Sequence, residues 1–140
     1  YHGRNEQSVP YQYYPDLLEM AKDVDILLLV CPGGERTKHT INASIFDAMK
    51  ETAFLINVAR GSVVNEANLI DALQQKKIAG AGLDVYENEP TVPPALTALD
   101  NVTLLPHLGT NALEVRISMG LMAIDNLRAV LDGETPPNMV

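Results

Sequence analysis

Four short apolar runs punctuate the chain: residues 25–30 (DILLLV), 53–58 (AFLINV), 80–85 (GAGLDV) and 102–105 (VTLL). Each is nearly continuous, the pattern of a strand buried on both faces, as in a parallel sheet. Between the runs, apolar positions recur at helical spacing. Residues 15–22 read as a short helix opened by Pro15 in its first turn. Residues 42–49 offer Asn42 or Ser44 as a cap ahead of Ile45, Phe46 and Met49. Asn65 can cap residues 65–75, where Leu69, Ile70 and Leu73 form an apolar stripe. A last, longer helix over residues 111–131 carries Leu113, Ile117, Leu121, Ile124, Leu127 and Leu131 on one broad face. Residues 90–94 form a stiff proline-bounded loop without a helical pattern, and residues 133–137 a linker-like end. Strands alternating with helices predict an α/β fold with a doubly wound parallel sheet.

In such a sheet the carboxyl ends of the strands form the rim where ligands bind. Arg60, Glu89 and His107 each follow one of the predicted strands, in the stretches NVARG, DVYENEP and PHLG. A guanidinium, a carboxylate and an imidazole on one rim suit a single chemistry. They can hold a carboxylate substrate and move a proton to or from its neighbouring oxygen. Arg60 and His107 each have a plain alternative: a surface Arg closing a strand and a structural His.

A length of 140 residues fits one domain with a sizeable core. The formal net charge of −8 argues against nucleic acid or an anionic membrane as partner. Cys31 is the only cysteine, so no intrachain disulfide forms, which fits a reducing cytoplasm. It reads as a small buried residue and not a nucleophile, since no base accompanies it in sequence. No apolar stretch approaches the roughly 20 residues of a membrane span. The chain starts without Met, at Tyr1-His2-Gly3-Arg4, and is expected to be a fragment or a cut product.

At NVARGSVV (57–64), GLDVYENEP (82–90) and LPHLG (105–109) the chain resembles the nucleotide-binding domain of the D-isomer-specific 2-hydroxyacid dehydrogenases. The resemblance runs along essentially the whole sequence. Pro32-Gly33-Gly34-Glu35-Arg36-Thr37 is similar to the glyoxylate/hydroxypyruvate reductases within that family. It implies a Rossmann-like fold in which residues 1–132 are the C-terminal portion of a dinucleotide-binding domain. Residues 133–140 would be a tail leading towards a substrate domain. The family's Gly-rich phosphate loop precedes the strand that ends at Tyr1-His2-Gly3-Arg4, so the first βαβ unit is expected to be missing. In the strand order 3-2-1-4-5-6, residues 25–30 read as strand three and residues 53–58 as strand four. Strands one and two would separate them, so a gap in the sheet is expected.

The resemblance also implies roles. Arg60 would grip the carboxylate of a 2-keto acid. His107 would give a proton to the keto oxygen as hydride reaches the carbon, with Glu89 holding the imidazole protonated. A Gln in place of Glu89 would indicate a formate dehydrogenase-like site. Glu87, two residues away, is expected to be a solvated side chain. Asp84 would bind the nicotinamide carboxamide, its alternative being a turn-forming Asp. Cys31, Pro32, Thr37, Val58, Ala59 and Gly109 would lie along the nucleotide, with ordinary loop roles as the alternative. Arg4 stands where NAD-specific domains carry an acid, so NADP is favoured over NAD. The alternative there is an exposed Arg with NAD still bound. Small 2-keto and 2-hydroxy acids are the implied substrates, and a homodimer the implied assembly. A dinucleotide-sensing interaction protein of the corepressor type is the alternative function on the same fold.

Overall fold

A computed structural model describes Tyr1–Met139. Within it the chain divides into two compact units, residues 1–106 and 107–140.

The first unit is a four-stranded parallel sheet in the order β1-β2-β3-β4. Its strands are β1 (Ile26–Leu29), β2 (Phe54–Asn57), β3 (Gly80–Leu83) and β4 (Val102–Leu104), each inside its predicted run. The expected gap is absent. β1 pairs directly with β2, with Ile26 opposite Phe54 and Leu29 opposite Asn57. Four strands in unbroken order match one half of a doubly wound sheet, which grows outward from its first strand. Residues 25–30 therefore belong to the same half of the sheet as residues 53–58, and the expectation that they form strand three is corrected.

Three helices pack in a row: α1 (Leu17–Asp23), which precedes β1, and α2 (Ala43–Ala48) and α3 (Glu66–Gln74), which connect β1 to β2 and β2 to β3. Each begins at a side-chain cap. Asp16 accepts from the N–H of Leu18, Asn42 from that of Ser44, and Asn65 from that of Asn68. Pro15 thus precedes the cap and does not open the helix. The proline loop leads into a four-residue helix, α4 (Pro94–Thr97), whose Leu96 is fully buried. Leu27, Leu29, Leu55 and Leu83 meet Ile45, Phe46, Leu69 and Leu73 in one core.

The runs predicted buried strands on both faces, and the structure corrects this. In β1 the pattern alternates, with Leu27 and Leu29 buried but Ile26 and Leu28 60% and 53% exposed. Phe54 and Val58 continue that exposed apolar face. A continuous apolar run reports what a strand can bury, not what covers it.

The second unit consists of a short lead from His107 and one 19-residue helix, α5 (Leu113–Leu131). Gly133, at φ 75°, ends it, and the N–H of Glu134 returns to the Ala129 carbonyl. No residue of α5 is buried, so its predicted apolar face is exposed. Among the described residues no helix is long and apolar enough to cross a membrane.

Candidate active site

Asn57, 1% exposed at the end of β2, organises the turn that carries Arg60. Its Oδ1 accepts from the N–H of Ala59 at 3.0 Å, and its Nδ2 donates to the Arg60 carbonyl at 3.1 Å. A buried polar side chain is tolerated because both ends of its amide are satisfied. The chain then enters a single 3-10 turn, Gly61–Val63. Gly61 is needed there for close approach: a Cβ would lie 1.9 Å from the backbone carbonyl of Tyr86 and 2.4 Å from Glu87 N. This contact presses the Arg60 turn against the segment after β3.

Arg60 is exposed, and its Nη1 donates to the Ala59 carbonyl at 2.6 Å. Its stem runs beside Gly33, where a Cβ would stand 2.8 Å from Arg60 Cγ. Cys31, Pro32, Gly33, Val58, Ala59 and Arg60 together line a cleft of about 410 Å³ over the carboxyl ends of β1 and β2. Cys31 is half-buried there, more open than the sequence suggested. Thr37 lies in the same β1–α2 loop, where its hydroxyl donates to the Pro32 carbonyl at 2.8 Å. A second cavity, about 210 Å³, flanks β1 and is lined by His2, Leu28, Val30 and Cys31 among others. Arg4 is exposed close by in sequence, in a segment closed by the Tyr14 N–H on the Tyr1 carbonyl.

Past β3, Asp84 is buried, and its N–H donates to the Asn57 carbonyl at 3.0 Å. Glu89 is exposed, and one of its carboxylate oxygens accepts the N–H of Tyr86 at 3.0 Å. The Tyr86 hydroxyl donates to the Leu105 carbonyl at 2.8 Å. Burial, and next the charge of Asp84, push this phenol above its ordinary value of 10.0, so it stays protonated at neutral pH. His107 opens the second unit together with Leu108 and Gly109. Its φ of 55° is a left-handed conformation uncommon outside glycine.

Glu87 is not the solvated side chain expected. It is 25% exposed and bonds His39 Nε2 at 2.6 Å, a partner 48 positions away that periodicity could not reveal. Glu66 and Glu87 also exchange hydrogen bonds, each carboxylate accepting the other's backbone N–H at 3.3 Å. Burial first, then the charge of Glu87, hold the Glu66 carboxyl above its ordinary 4.5, partly offset by the Glu87 N–H. The raised value means that the fold favours the protonated acid. That stability is fully present below 4.5 and is lost as pH rises through the folded value. Glu66→Gln keeps an acceptor for the Glu87 N–H without the charge. Its melting temperature should exceed the parent's near pH 7, by a margin that vanishes near pH 4. An equal drop at both pH values would show that burial of this charge does not govern stability here.

Residues 1–109 match the family described as D-isomer specific 2-hydroxyacid dehydrogenase, NAD binding domain. The chain belongs to this family. Its relatives include glyoxylate/hydroxypyruvate reductase A of Arabidopsis thaliana, 40% identical over 96% of this chain and 44% of that protein. The 2-ketogluconate reductase of Gluconobacter oxydans is 42% identical over 96% of this chain and 43% of its own length. Among solved structures, an NADPH-dependent glyoxylate/hydroxypyruvate reductase from Sinorhizobium meliloti, in complex with NADP and malonate, superposes with a TM-score of 0.90. It is 45% identical and covers 92% of this chain and 41% of its own. The chain thus spans less than half the length of these relatives.

Proposed function

We propose that this chain forms the nucleotide-side half of the active site of a reductase of small 2-keto acids, such as glyoxylate or hydroxypyruvate. The observation that carries the reading is the cleft at the strand ends, with Arg60 on one wall and small side chains on the rest. Pro32, Gly33, Val58 and Ala59 leave room for a flat ring. Asp84, at the next strand end, offers a carboxylate able to accept from a carboxamide N–H. These residues fit a nicotinamide dinucleotide, with Thr37, Cys31 and Gly109 as further contacts. The chemistry supplied by the bound cofactor is a hydride for the keto carbon.

The chain's own residues do the rest. Arg60 binds the substrate carboxylate through its planar fork and draws charge from the adjacent carbonyl. His107, as imidazolium, gives its proton to the keto oxygen while the carbon is reduced, so that a 2-hydroxy acid and a neutral imidazole result. Glu89 favours the charged ring and so keeps the donor loaded. In the oxidative direction the neutral imidazole takes the proton back.

Replacing Glu89 with Gln in the full-length enzyme tests the relay. Reduction requires a proton donor, so its kcat/KM should be flat at low pH and fall at higher pH as that donor is lost. Removing the carboxylate should move that limb to lower pH and slow reduction near neutrality. Superimposable profiles for parent and variant would remove Glu89 from the relay.

Arg4 supports NADP over NAD, because a cation without a neighbouring acid suits a 2′-phosphate. NADPH should bind the full-length enzyme more tightly than NADH, and a titration showing the reverse preference would reject the assignment. The single cysteine fits a reducing cytoplasm, and the family resemblance supports a homodimer, which light scattering on the full-length protein would test. No observation favours the interaction-protein alternative.

A further inference from the structure

We propose that Glu87 is a positioning residue that clamps the Glu89 segment to two other parts of the fold. The inference rests on the reading of Glu89 as the acid of the relay. Three stretches distant in sequence meet at the Glu87 carboxylate. One oxygen takes His39 Nε2 at 2.6 Å, from the β1–α2 loop that also carries Pro32 and Thr37. The other takes the N–H of Glu66 at 3.3 Å, at the start of α3. The Glu87 N–H returns to Glu66 Oε2 at 3.3 Å, so the clamp closes through backbone as well as side chain.

His39 is itself held in an unusual conformation. Its φ is 51°, in the left-handed region that costs a non-glycine residue about 1 kcal/mol. The surroundings impose it: the His39 N–H donates to the Ser62 carbonyl at 2.9 Å, and Asn42 Nδ2 donates to the His39 carbonyl at 3.3 Å. Strain maintained in this way needs a use, and its visible result is an imidazole aimed at Glu87. The pair is 35% and 25% exposed, so solvent screens it only in part.

The chain between Glu87 and Glu89 is short. Glu89 closes it by accepting the Tyr86 N–H at 3.0 Å, so holding position 87 restricts where that ring can stand. Glu87 therefore sets where the Glu89 carboxylate stands and joins that placement to the loop of the nucleotide-side contacts. It touches no reacting atom in this scheme.

The test compares Glu87→Ala with the conservative Glu87→Gln. The Gln keeps an acceptor for the Glu66 N–H and a donor for a neutral His39 ring. In the 140-residue chain, amide exchange at Tyr86 should accelerate about tenfold or more in Glu87→Ala, while Leu73 and Leu83 change less than about twofold. Glu87→Gln should hold Tyr86 within about threefold of the parent. Unchanged protection at Tyr86 would overturn the proposal, and so would an equal loss at all three amides, which marks general destabilisation. Should Glu87→Ala fail to fold, His39→Gln serves instead and should loosen Tyr86 in the same selective way.

In the full-length enzyme, Glu87→Ala should lower kcat with little change in KM for the cofactor. It should also move the pH limb of reduction in the direction that Glu89→Gln does. A limb that moves in Glu89→Gln but not in Glu87→Ala overturns the clamp and leaves the relay standing. If neither variant moves the limb while Tyr86 loses protection, the relay fails and the clamp holds.

Discussion

Gly61→Ala should cost the chain about 3 kcal/mol of stability, at the upper end of what overpacking a protein interior usually costs. The added methyl would stand 1.9 Å from both the carbonyl carbon and the oxygen of Tyr86. Carbon atoms in contact sit about 3.5–4.0 Å apart, so the two segments would have to part by well over an ångström. Rotating a side chain cannot relieve the clash, because every atom met is backbone. The substitution should also pull apart the groups that this contact aligns. On one side are Arg60 and the Asn57-bonded turn; on the other are the Tyr86 ring and the segment to Glu89. Urea unfolding should show a lower midpoint at unchanged m-value. A loss under about 1 kcal/mol would mean that the turn relaxes freely and does not fix the position of Arg60.

Gly61 also shows how far sequence reasoning reaches. The backbone it must approach belongs to Tyr86, 25 positions away, a neighbour that no local pattern identifies. The strands were legible because burial of a continuous apolar run is a local signal. The same holds for the caps at Asn42 and Asn65, where a side chain serves an amide two or three residues on. What failed was long-range. The assignment of residues 25–30 to a half of the sheet required knowing which strand they pair with, and pairing is a tertiary fact. Glu87 was read as solvated because its partner His39 lies beyond any periodic window. Asn57 lies inside the NVARG stretch, and its bonds to Ala59 and Arg60 leave no periodic trace. The available signal was a polar residue closing an apolar run, which calls for a local hydrogen-bond account.

Arg60→Lys should reduce kcat/KM for glyoxylate or hydroxypyruvate about 100-fold or more in the full-length enzyme, equivalent to about 2.7 kcal/mol of transition-state binding. A guanidinium presents parallel N–H groups that match the two oxygens of a carboxylate, whereas an ammonium offers a single hydrated point of charge. The charge is conserved, so the expected loss measures geometry. Three features of the site keep this substitution from acting through the fold. Arg60 is exposed. Its turn is set by Asn57 and Gly61 through backbone contacts that any side chain at position 60 would leave in place. The stem beside Gly33 is built of methylenes that lysine shares. Thermal stability should accordingly match the parent's while turnover collapses, with kcat falling as well as KM rising because the grip also polarises the reacting carbonyl. A Lys variant with near-parental kcat/KM would exclude the carboxylate-binding role and leave Arg60 a surface residue at the mouth of the cleft.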